Sequence, residues 1–73
     1  MLLTSIYYAK VARNAKKDAA FADNNADHAR TLNRPRSYAT WCKLAADARA
    51  RAVCNEILAL FAQETEADTL QAA

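Results

Sequence analysis

The sequence predicts an all-helical protein, an antiparallel hairpin of two long helices, and three observations carry that prediction. The chain has no glycine and one proline in 73 residues. The tight turns of a small sandwich or barrel need residues that accept positive φ, so such folds have little to build their turns from. Alanine, the best helix former, fills 19 positions, while the β-branched and aromatic residues that pack a pleated surface are few. The one strong break is Asn33-Arg34-Pro35-Arg36-Ser37, because proline drives the residue before it out of helical geometry.

The first helix is expected from about Thr4 to Leu32. Asn24-Asn25 is its weak point, where the helix can bend or split and so give three helices in place of two. Ala12, Ala15, Ala19, Ala22, Ala26 and Ala29 recur at alternating intervals of three and four and make one continuous stripe. After the turn, Asn33 or Ser37 is expected to cap a second helix from about Arg36 to Gln63. Its matching stripe is Trp41, Ala45, Ala48, Ala52, Asn55, Ala59 and Ala62. Two such stripes favour packing at about +20°, with small side chains bringing the axes to the close end of the usual ~8–10 Å.

Folding back at Pro35 pairs residues whose numbers sum to about 69. Trp41 should then lie near His28 and Ala29. Leu2, Leu3, Ile6, Tyr7 and Tyr8 should gather with Leu58, Leu60 and Phe61 in a bulky closed end opposite the turn. Residues 1–66 make up the hairpin domain. Residues 67–73 are expected as an acidic, disordered tail, since Glu64, Glu66 and Asp68 stand without a base in the last ten positions.

Helix 2 has more apolar surface than one neighbour can cover. With its alanines turned toward helix 1, Val53, Ile57, Leu60 and Phe61 point elsewhere. A chain this short also gains little from a core of alanines, so a second copy is the expected cover and a four-helix bundle the expected assembly. Val53, Ile57, Leu60 and Phe61 are therefore the candidate dimer interface. In layout such an assembly is similar to Rop-like hairpin dimers, which bind RNA. The likeness is of architecture only and assigns no residue a role.

Charge and cysteine content narrow the functions. The formal net charge is +2, too small to imply a nucleic-acid partner by itself. Cys42 and Cys54 stand twelve residues apart on one expected helix, about 18 Å of rise and far beyond disulfide reach. Free thiols fit a reducing, cytoplasmic setting. No apolar run approaches the ~20 residues of a membrane span, and the opening residues lack a basic region before the apolar ones. Two thiols and one histidine on another segment are too few for a metal centre. A glycine-rich phosphate loop is impossible without glycine, and the lone His28 shares no helix face with the adjacent Asp27. No catalytic residue, cofactor or metal is expected, and the protein is read as a non-enzyme.

Binding is what remains. Tyr7 and Phe21 stand fourteen residues apart on a side of helix 1 away from the alanine stripe, and aromatics of this kind anchor interfaces. Tyr38 and Trp41 begin helix 2 beside a cationic turn of Arg30, Arg34 and Arg36. Each has an ordinary alternative: the aromatics as core of the assembly, Trp41 as a plug in a thin seam, the arginines as a solvated helix end. The leading expectation is a regulator or inhibitor that occupies a surface of a larger protein, in the style of small phage- or plasmid-encoded factors aimed at the host. A nucleic-acid-binding hairpin dimer using Lys10, Arg13 and Lys17 with the turn is the alternative, and a structural subunit of a larger assembly the third.

Overall fold

The computed structural model describes residues 4–72. It consists of two helices, α1 (Thr4–Thr31) and α2 (Pro35–Ala72), packed along one another as a hairpin. α1 passes unbroken through Asn24-Asn25. The Asn25 side-chain amide donates to the Phe21 carbonyl one turn back at 2.8 Å, so the expected breaker is satisfied within the helix.

The turn is built from asparagine because the sequence offers no glycine. Asn33 has φ 56°, the left-handed region that asparagine tolerates better than other residues with a Cβ. Its N–H donates to the Arg30 carbonyl at 3.0 Å, and the Arg34 N–H donates to the Ala29 carbonyl at 2.9 Å, the paired bonds of a Schellman motif. Pro35 then takes the first position of α2, where its missing N–H costs nothing. The Tyr38 N–H closes the first turn on the Arg34 carbonyl at 2.9 Å. Asn33 therefore ends α1 and does not cap α2, and Ser37 lies inside α2.

The alanine stripes are the seam. Ala12, Ala15, Ala19, Ala22, Ala26 and Ala29 of α1 are buried against Ala45, Ala48, Ala52 and Ala59 of α2. Trp41, Asn55 and Ala62 complete the stripe half-buried. The Cα atoms span 60 × 12 × 11 Å. With a Cα cylinder of about 2.3 Å radius, a 12 Å width puts the axes about 7–8 Å apart, at the close limit of helix packing. Two straight helices side by side would be much thinner in one short direction than in the other. The near-equal values mean that the axes of α1 and α2 are not parallel in one plane, as a crossing of about +20° requires.

Charged pairs line both edges of the seam. Lys16 pairs with Glu56, Asp23 with Arg49 at 2.9 Å, and Asp18 with Arg51 at 3.8 Å on the opposite edge. The partners' numbers sum to between 69 and 72, close to the register read from the turn. A slip of one heptad would set Asp23 against Glu56. These pairs are solvent-exposed and individually worth about 0.2–1 kcal/mol; in this register each joins opposite charges.

Two expectations are corrected at the end away from the turn. α2 does not stop at Gln63 but runs to Ala72. Glu66 explains the extension: one carboxylate oxygen accepts from the Ser5 N–H at 3.1 Å and the other from the Ser5 Oγ–H at 2.7 Å. α1 has no acidic residue in its own first turn, so a carboxylate from α2 satisfies an orphan N–H and complements the helix dipole. The same end is not a closed apolar plug. Ile6, Tyr7, Leu60 and Phe61 are each more than half exposed, Leu58 is exposed, and Ser5 is the buried residue there. Leu2 and Leu3 lie outside the described residues. Axes this close leave room for a Cβ between them and for little more.

Candidate interaction surface

The seam leaves the large apolar side chains outside. Among the described residues no large side chain is fully buried, while eleven large apolar ones are exposed. The chain's accessible surface is 5688 Å², against about 4,450 Å² for a compact monomer of 8.0 kDa by the usual size scaling.

Most of the exposed apolar surface is on α2. Val53 and Ile57 are each 56% exposed, Leu60 61% and Phe61 68%, so the four candidate interface residues all stand free in the single chain. Together with Ala46 and Ala50, both exposed, Val53, Ile57 and Leu60 repeat the alternation of three and four on the far side of the helix. α2 thus carries a second stripe opposite its first. Leu44 and Leu58, also exposed, stand on the same edge of the seam as Arg51. Leu44 received no role from the sequence, although its place about one turn after Trp41 would have marked it.

A second cluster lies where the helices face each other nearer the turn. Phe21, 63% exposed, meets Trp41 edge-to-face with ring centroids 5.9 Å apart. The neighbour expected for Trp41 was His28 and Ala29, and the Phe21 contact was not foreseen. Trp41 is half-buried and so serves as seam filler and as part of an exposed aromatic pair at once. Tyr38 is partly exposed. Its hydroxyl is held above the usual phenol pKa, first by a hydrogen bond with the Cys42 thiol, then by the Coulombic influence of Cys42 and by desolvation, against the opposing pull of Arg30. Tyr7 stacks edge-to-face on Tyr8 at 5.5 Å and does not join Phe21 in one patch.

The cationic turn has the expected composition. Arg30 is paired with Asp27 at 3.6 Å, and Arg30, Asn33, Arg34, Pro35 and Tyr38 line a shallow depression of about 190 Å³. Asp18, Asp23 and Asp27, which interrupt the basic strip of α1 in sequence, are all engaged by arginines. Among the described residues Lys10, Arg13, Lys17, Arg34 and Arg36 make no ion pair. Cys42 and Cys54 are free and sit on one helix. No three potential metal ligands among the described residues come together, and no described helix is long and apolar enough to cross a membrane. Compared with models of protein families, with curated proteins and with solved structures, the chain has no significant match.

Proposed function

We propose that this chain is a non-enzymatic protein-binding regulator, built as a dimer of hairpins and acting by occupying a surface of a larger protein. The observation that carries the reading is the inversion of the usual layout, with alanines inside and valine, isoleucine, leucine and phenylalanine outside. An apolar face of this extent is covered in a functioning protein. Two hairpins joined through the outer face of α2 form a four-helix bundle with a core of ordinary side-chain size. The Phe21–Trp41 pair, Tyr7, Tyr38 and the arginine turn stay outside that contact and supply aromatic and cationic anchors for the target.

The test is affinity capture, identification of the retained protein, and a binding titration of that purified protein against wild type and Phe21→Ala/Trp41→Ala. The reading expects the double variant to remain folded and to bind at least about tenfold more weakly. Equal affinity removes the aromatic pair from the interface. A second reading has its own observation: with the α1 aspartates held by arginines, Lys10, Arg13 and Lys17 form an uncompensated strip. A nucleic-acid-binding dimer using that strip would lose affinity steeply with added salt, and absence of a mobility shift at low salt would eliminate it.

A further inference from the structure

From the pattern of the outer stripe on α2 we infer that two copies pair there antiparallel about a two-fold axis passing beside Val53 and Cys54, an inference that rests on the dimer reading above. The stripe is graded along its length. Toward the turn it consists of Ala46 and Ala50, and away from the turn of Ile57 and Leu60, with Val53 midway. Lys43 continues it at the first end and Glu64 at the second, both exposed and neither in an ion pair among the described residues.

Antiparallel pairing about Val53 brings each feature to its complement. Ala50 meets Ile57 of the second copy and Ala46 meets its Leu60, so on either side of the axis, where the two Val53 residues meet, a small side chain faces a large one. Lys43 meets Glu64 of the second copy, and by symmetry this happens twice. On one edge of the stripe Arg49 comes opposite Glu56 of the second copy, extending the pairs those residues already make with Asp23 and Lys16. The parallel alternative sets Ile57 on Ile57, Leu60 on Leu60, Lys43 on Lys43 and Glu64 on Glu64: bulk against bulk and like charge against like.

The two cysteines report the arrangement. In the antiparallel dimer the two Cys54 side chains stand beside the axis, within reach of each other, whereas the two Cys42 residues are about 34 Å apart. The experiment uses the full chain as Cys42→Ser and as Cys54→Ser, each treated with a short bismaleimide cross-linker of about 8 Å, with sedimentation velocity run on the untreated samples. Both substitutions are conservative, and Cys54 is exposed. The expected result is that both variants sediment as dimers, and that only Cys42→Ser, which keeps Cys54, gives a covalent dimer. Covalent dimers from both variants would mean parallel pairing and overturn the inference while leaving the dimer intact. A dimer that neither variant cross-links would place the interface away from the outer face of α2 and also overturn it. Monomeric sedimentation would overturn the dimer reading together with it.

Discussion

The two long faces of α2 follow the same heptad spacing and reach opposite outcomes. The inner stripe, Ala45, Ala48, Ala52 and Ala59, is buried. The outer stripe, Ala46, Ala50, Val53, Ile57 and Leu60, is exposed, although its side chains are the larger. Periodicity therefore locates a packing face without saying which partner covers it. Alanine permits the near approach of α1, which the turn holds at high effective concentration. A seam of alanines buries little area for each residue ordered, and closeness is what the inner face provides. The outer face holds the area, and area is what a separate molecule must bury to associate.

The sharpest way to break this comparison is to put a charge in the middle of the outer face. Ile57→Asp removes a large side chain from each copy and sets a carboxylate in its place. Burial of one isoleucine is worth about 1.5–3 kcal/mol, and the substitution would occur in both copies, so the proposed dimer should weaken by at least about a hundredfold. Sedimentation equilibrium across a range of concentrations measures this directly. A dimer constant unchanged by Ile57→Asp would mean that the outer stripe is not the interface.

The inner face responds to size. Ala19→Leu introduces a side chain where the axes have room for a methyl group, and overpacking of this kind costs about 1–3 kcal/mol. Ala20→Leu, one residue on and exposed, should stay within about 0.5 kcal/mol of wild type. Urea unfolding of both variants at one protein concentration compares them. If the two behave alike, the seam is not tightly packed at Ala19.

Much of this architecture is legible in the sequence, for a physical reason. In a chain without glycine and with one proline there are few places to turn, so the hairpin follows from Pro35 and the register from counting back from it. Every alanine of the α1 stripe is buried as its spacing requires. What could not be read depended on single side chains reaching across the register. Glu66 reads in the sequence as one of three acids among the last ten residues, because its role appears only once it is paired with Ser5, sixty-one residues away. Trp41 was placed by its Cα, whereas its ring extends along the groove to Phe21. Of the candidate site, exposure of Val53, Ile57, Leu60 and Phe61 follows from the pattern; the expected closed end failed because alanine spacing excludes large side chains from between the axes.

The turn gives a smaller effect with a clear sign. Asn33 sits at positive φ, where a residue with a branched Cβ loses about 1–2 kcal/mol. Asn33→Val should lower stability by that amount, whereas Asn33→Gly should match or slightly exceed wild type. Thermal unfolding followed by circular dichroism distinguishes them. If valine were tolerated as well as glycine, the reversal would not depend on the left-handed residue.

The smallest effect tests whether the edge charges choose the register or merely decorate it. Asp23→Arg sets an arginine against Arg49 and should cost no more than about 1 kcal/mol, because both partners are about half exposed. Adding Arg49→Asp restores an opposite-sign pair in the same place. If the pair acts locally, the double variant recovers most of the loss, and the difference shrinks in high salt as the charges are screened. Recovery alone would leave the register open, so the diagnostic is Lys16. It faces Glu56 one heptad away on the same edge, and a slipped hairpin would set it near Gln63. A cross-link between Lys16 and Glu56, formed by carbodiimide activation of the carboxylate, should therefore form in wild type and in the double variant alike. Its disappearance in Asp23→Arg alone would show that one exposed pair shifts the whole hairpin, a larger consequence than its own free energy suggests. Its persistence there would assign the register to the alanine seam and the turn, with the charges left to discriminate only against a full heptad slip.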